Sequence, residues 1–151
     1  MTPEQVKLVQ DSFAKVAPIA DKAADLFYDR LFVIAPDVRS LFPDDLSAQK
    51  KKLMQMLATA VTNLHQVEKI IPAVQDLGRR HVGYGVTAKH YEPVGAALLW
   101  TLEQGLGPAF TPQVKEAWTV TYTTVADVMK AAAAQVPPKQ QNKGLMARIF
   151  G

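Results

Sequence analysis

Leu77-Gly78-Arg79-Arg80-His81-Val82-Gly83-Tyr84-Gly85-Val86 sets a histidine at the end of an apolar helical stripe. Ile70, Val74, Leu77 and His81 follow one another at steps of four, three and four, which is one face of a helix. A histidine on the buried side of a helix must either find a hydrogen-bond partner or bind something. A satisfied core histidine is the ordinary outcome for such a residue taken alone.

The same helical period runs through most of the chain on either side. Thr2-Pro3-Glu4-Gln5 is a helix start, with Thr2 as cap, Pro3 in the first turn and Gln5 placed to close a capping box. Val6, Val9, Phe13 and Val16 mark its inner face, and Pro18 ends it. A second stripe holds Ala20, Ala24, Phe27, Tyr28 and Leu31 and stops before Pro36. Residues 36–47 read as a corner of short turns around Leu41, Phe42 and Pro43. The long helix after it has Gln49 in its first turn, Leu53 and Leu57 on one side, and Lys50, Lys51 and Lys52 near its start. The next helix is expected from about Pro72 to His81, with Gly83 and Gly85 opening a turn. Tyr91, Val94, Leu98 and Leu102 define another helix, closed by Gly105 and Gly107. Thr111-Pro112 starts the last, with Val114, Trp118, Tyr122, Val125 and Met129 inward. No segment alternates with a period of two for long enough to make a strand. The expectation is one all-α domain over residues 1–135, with six to eight helices and corners rather than hairpins between them.

Composition narrows the function classes. The chain has 151 residues, 48% apolar and 21% charged, enough for one ordinary globular core. It has no cysteine, which removes disulfides, thiolate zinc sites, iron–sulfur clusters and thioether-linked haem. Three of the 17 basic residues (Lys139, Lys143 and Arg148) lie in residues 136–151, where there is no acid, so the rest carries 14 basic against 14 acidic residues. The net charge of +3 thus belongs to a basic tail, and no nucleic-acid footprint is expected. Leu145, Met146, Ile149 and Phe150 give that tail a small apolar patch, read as a loosely ordered terminus in preference to a membrane contact. The N-terminus lacks the layout of a signal peptide and no run is long enough for a bilayer, so a cytoplasmic location is expected.

The order of these elements resembles the globin family, over about residues 3–134. The matching stretches are Ala60-Val61-Thr62-Asn63, Leu77-Gly78-Arg79-Arg80-His81, Gly85-Val86, and Leu106-Gly107-Pro108-Ala109-Phe110-Thr111-Pro112 followed by Ala117-Trp118 and Tyr122. They are similar to neuroglobin-like and bacterial single-domain globins. Leu26-Phe27-Tyr28 running on to Leu31-Phe32 looks like the bacterial globin and flavohaemoglobin branch. The resemblance implies a globin fold around a haem pocket, with haem b (iron protoporphyrin IX) held through its iron by His81. The Leu77 carbonyl, one turn back, is the expected acceptor for the other ring nitrogen. Tyr28, Gln49 and Leu53 are implied on the distal face, Phe42 against the porphyrin and Lys52 near a propionate. Leu57, Tyr84, Val86, Tyr91, Val94 and Val125 complete the implied shell.

The implied function is reversible binding of O2, and of CO and NO, for oxygen storage, transport or sensing. O2 on ferrous haem gains partial negative charge, so the Tyr28 hydroxyl and the Gln49 amide are suitable donors. Neuroglobins have a histidine where this chain has Gln49, and an amide is a poor iron ligand, so five-coordinate ferrous iron is expected. Flavohaemoglobins pair a proximal tyrosine with a glutamate. Tyr91 matches the tyrosine, but the glutamate position is Ala133. The alternative function is nitric oxide dioxygenase, which needs an external reductase as partner. Taken singly, the ordinary readings come first: Tyr28 as a core aromatic bonded to a backbone carbonyl, Gln49 as an exposed first-turn residue, and Lys50 to Lys52 as a solvated face. His65 and His90 are read as surface or partly buried residues, not ligands.

Overall fold

The computed structural model describes residues 1–136. The expected basic tail, apart from Val136, lies outside the described residues. Six α-helices occur among these residues: α1 (Pro3–Val16), α2 (Ala20–Ile34), α3 (Ser47–Thr62), α4 (Val67–Gly83), α5 (Tyr91–Leu106) and α6 (Pro112–Ala133). Short 3-10 turns at Ala17–Ile19, Pro36–Leu41, Leu64–Gln66, Ala88–His90 and Gly107–Ala109 turn the corners, and there is no strand among the described residues. The all-α expectation therefore holds.

The local signals act as the sequence suggests. The Thr2 side chain accepts from the Gln5 backbone N–H at 3.1 Å, and the Gln5 side chain accepts from the Thr2 N–H at 2.9 Å. Thr111 caps α6 by accepting from the Val114 N–H at 3.2 Å. Gly107 ends α5 at φ 54, a left-handed value that disfavours any residue with a Cβ.

One boundary differs. α4 starts at Val67, five residues before Pro72, and runs to Gly83, two beyond His81. Pro72 removes one N–H from the helical ladder, and its carbonyl partner one turn back loses that bond. The residues around it keep helical geometry because Ile70, Leu77 and His81 are buried on one face.

Packing puts α4 along α6, α2 along α5, and α1 against α6. The α4–α6 seam is close enough to need a glycine: a Cβ at Gly78 would stand 2.5 Å from the Met129 carbonyl oxygen. Trp118 of α6, 2% exposed, donates its indole N–H to the Ser12 hydroxyl at 2.8 Å, and that hydroxyl donates in turn to the Leu8 carbonyl at 2.7 Å. Lys50 of α3 pairs with Asp25 of α2 at 2.8 Å. α3, α4, α5 and α6 all border one interior space.

Candidate functional site

That space is a cavity of about 160 Å3 with almost wholly apolar walls. α3 contributes Leu53, Met56 and Leu57. α4 contributes Val74, Leu77 and His81. Val86, His90, Tyr91 and Val94 come from the turn after α4 and the start of α5; Trp118, Tyr122 and Val125 come from α6. The corner before α3 supplies Val38, Leu41 and Phe42. Of the sequence-predicted residues, the cavity brings together Phe42, Leu53, Leu57, Leu77, His81, Val86, Tyr91, Val94 and Val125. Tyr28, Gln49, Lys52 and Tyr84 do not line it. Tyr84 stands behind His81, with ring centroids 5.9 Å apart, and Lys52 is half-buried on α3.

His81 is the one histidine in the cavity wall that comes from a helix face. It is 4% exposed, and its Nδ1 lies 2.6 Å from the Leu77 carbonyl oxygen, the acceptor expected one turn back. A carbonyl cannot donate, so Nδ1 carries the proton and the lone pair sits on Nε2. Burial pushes the imidazole pKa down from 6.5 to about 4, and the Leu77 bond offsets only part of that. The ring is therefore neutral near pH 7, the state in which imidazole binds a metal. Its backbone is fixed as well. The His81 carbonyl accepts from the N–H groups of Tyr84 at 3.0 Å and Val86 at 3.1 Å, a turn completed by Gly85 at φ 92.

Two polar side chains beside the cavity are buried and unsatisfied. Tyr28 and Gln49 are each 1% exposed, and the Tyr28 hydroxyl and both Gln49 amide atoms have no hydrogen-bond partner. Neither ordinary reading survives: Tyr28 is not bonded to a carbonyl, and Gln49 is not on the surface. Both adjoin the wall, since Tyr28 follows Phe27 and packs edge-on against Phe42 at 5.5 Å, and Gln49 lies one turn before Leu53. Burial raises the Tyr28 pKa well above 10, which keeps the phenol protonated as a donor. Leaving such groups unpaired costs about 1–3 kcal/mol each, so the arrangement suits a ligand that supplies an acceptor.

In the cavity wall the Tyr91 hydroxyl is also buried without a hydrogen-bond partner, and burial pushes its pKa to about 12. Tyr122 donates to the Tyr91 carbonyl oxygen at 2.6 Å and so holds the start of α5 on α6. No carboxylate among the described residues accepts from Tyr91, in keeping with alanine at position 133.

Sequence reading missed several wall residues. His90, expected to be a surface or partly buried residue and not a ligand, is half-buried and lines the cavity. Its Nδ1 accepts from the Thr87 N–H at 2.9 Å, a capping arrangement that turns the ring inward; the Thr87-x-x-His90 spacing was the available signal. Met56 and Trp118 also line the wall, and as core-type residues they carried no signal for a site.

The family model for globins matches residues 25–129. A flavohemoprotein of Bacillus subtilis is 36% identical over 106 residues, which is 67% of this chain and 26% of that protein. The chain thus spans about a quarter of that relative's length. Neuroglobin of Danio rerio is 28% identical over 136 residues, covering 81% of this chain and 86% of the relative. Among solved structures, a bacterial globin from Campylobacter jejuni superposes with a TM-score of 0.75 at 26% identity, over 89% of this chain and 97% of that one. With its cavity, its buried helix-end histidine and these matches, the chain belongs to the globin family.

Proposed function

We propose that this chain is a haem b globin that binds O2 reversibly at a five-coordinate ferrous iron, with His81 as the only protein ligand. The observation that carries the proposal is the pairing of one neutral, locked imidazole with two buried, unpartnered donors around an apolar cavity. A single imidazole suits a metal that arrives with its remaining ligands, as in a tetrapyrrole, and the apolar walls suit a flat hydrophobic macrocycle. Haem, when bound, supplies the ferrous centre that takes O2, CO or NO.

The side chains do the rest. The Leu77 carbonyl fixes the His81 tautomer and ring plane, so Nε2 is presented to the metal. Phe42 would pack on the macrocycle, with Leu57, Val86, Val94 and Val125, which line the cavity, around it. Tyr84 backs the His81 ring and Tyr91 closes the wall on the same side. Lys52, half-buried on α3 outside the cavity lining, would be the cation for a propionate. Leu53 keeps water from the distal side. The Tyr28 hydroxyl and the Gln49 amide, both buried and without partners, would be the donors available to a diatomic ligand that carries negative charge. Each such bond is worth about 1–3 kcal/mol, and a loss of 1.4 kcal/mol is about tenfold in release rate if the bond is broken on leaving. CO carries less charge and gains less, so the pair favours O2. The Tyr91 hydroxyl without a hydrogen-bond partner, with alanine at position 133, supports an ordinary proximal histidine without the electronic push of a tyrosine–glutamate pair.

The proposed role is storage, transport or sensing of oxygen, which tight reversible binding would serve, with the cytoplasm as the proposed location. A second reading, nitric oxide dioxygenation with a separate reductase, draws on the likeness to a flavohemoprotein. The discriminating experiment mixes the oxygenated protein with NO in the presence of a flavin reductase and NADPH. Stoichiometric nitrate formation that stalls after one turnover fits the binding role, and sustained catalytic turnover overturns it in favour of the dioxygenase.

A further inference from the structure

The corner before α3 is held by one side chain. Arg39, half-buried, donates from Nη1 to the carbonyl oxygens of Phe42 at 3.4 Å and Pro43 at 3.0 Å, and from Nη2 to that of Asp44 at 3.1 Å. The same guanidinium lies over the Phe32 ring, with its central carbon 5.2 Å from the centroid. Three carbonyls in a row and an aromatic face are met at once by the planar fork of arginine, which a lysine ammonium cannot span.

Beneath it the rings form a closed set. Phe32 packs edge-on against Phe42 at 5.5 Å, Phe42 edge-on against Tyr28 at 5.5 Å, and Tyr28 lies 6.1 Å from Phe32. Phe27 adds a fourth ring, edge-on to Tyr28 at 5.0 Å. The Tyr28 hydroxyl has no hydrogen bond to hold it. Packing, not hydrogen bonding, therefore sets its position, and two of the three rings packed against it are those Arg39 secures: Phe32 by lying over its face and Phe42 through its backbone.

We propose that Arg39 is a positioning residue for Tyr28: by clamping the corner carbonyls and covering Phe32, it fixes the Phe32–Phe42 pair and so sets where the Tyr28 hydroxyl stands beside the cavity. The consequence for ligand release rests on the haem reading above, while the coupling of Arg39 to Tyr28 does not. Two measurements separate them.

The first uses the haem-free protein with labelled tyrosines. The Tyr28 ring resonances are identified by their loss in Tyr28→Phe. In Arg39→Met they shift or broaden, while those of Tyr122, anchored on α5, stay in place. In Arg39→Lys, which keeps a cation near Phe32 but loses the fork, they move part of the way. Unchanged Tyr28 resonances in both variants overturn the proposal. Arg39→Lys also serves if Arg39→Met does not fold.

The second uses the haem-loaded protein. Arg39→Met speeds O2 release at least threefold and moves the CO stretching frequency of the carbonyl complex in the same direction as Tyr28→Phe. The double variant releases O2 no more than twofold faster than Tyr28→Phe alone, because both changes remove one interaction. Loss of stability without a change in CO frequency or O2 release marks Arg39 as merely structural and overturns the role in ligand release.

Discussion

Replacing Gly78 by alanine sets two effects of opposite sign against each other. Gly78 is buried in α4, three residues before His81. Helix propensity alone favours alanine there by about 1 kcal/mol. Packing opposes it. A Cβ would stand 2.5 Å from the Met129 carbonyl oxygen, 2.7 Å from its Cα and 2.9 Å from its carbonyl carbon. All three are backbone atoms of α6, so no rotamer change relieves the clash. To reach an ordinary contact of 3.4 Å, the helices must part locally by about 0.9 Å. A gap of that size forfeits roughly a quarter to a half of the dispersion well of each pair facing across the opened seam. Overpacking costs about 1–3 kcal/mol, and the upper end applies because an entire helix must move. The net expectation is a loss of about 2 kcal/mol after the propensity gain, or roughly 4–8 °C in Tm for a chain of this size. Thermal and denaturant unfolding of the haem-free chain, followed by far-UV circular dichroism, measures it. A Gly78→Ala chain as stable as the parent, or more stable, refutes the close approach of α4 and α6.

Tyr28→Phe is expected to speed O2 release about tenfold while changing CO release by less than threefold, read by stopped-flow ligand replacement; equal effects on both gases contradict a charge-sensitive donor. Ser12→Ala removes the acceptor of the buried Trp118 indole N–H, so about 1–3 kcal/mol of stability should be lost in urea unfolding, and an unchanged midpoint contradicts that bond. In the haem-free protein, burial pushes His81 from 6.5 down to about 4, so the folded chain binds its proton less readily than the unfolded one. The stability this group contributes is complete above about pH 6.5 and is lost as pH falls towards 4, about 3 kcal/mol in all. His81→Leu should flatten that part of the stability–pH curve, and an unaltered slope speaks against a buried neutral imidazole.

The fold was legible because each helix carries its own period and its own stops. The Thr2 and Thr111 caps and the stripe through Ile70, Val74, Leu77 and His81 need only local sequence, and so does the bond from His81 to Leu77. The start of α4 was not legible: Pro72 argues locally for a beginning, and burial of one face overrides it. Tyr28 and Gln49 each have an ordinary alternative in the sequence. Only their burial without partners, a property of the packed interior, removes those alternatives. Arg39 and His90 gave the least warning. Arg39 matters because a non-helical corner turns three carbonyls towards it, and His90 because a capping turn swings it into the wall. Neither geometry has a periodic signature. Gly78 was visible as part of a motif, but the reason for it lies on a helix some fifty residues away.

The central claim is that His81 holds haem and leaves the sixth iron position open. The direct measurement is the absorption spectrum of the haem-reconstituted protein in ferric, ferrous and oxygenated forms, beside that of His81→Leu. The account predicts an intense Soret band, a five-coordinate ferrous spectrum that converts to a stable oxygenated form, and loss of that spectrum in the variant. A six-coordinate ferrous spectrum in the absence of gas, or a variant spectrum indistinguishable from the parent, would contradict it.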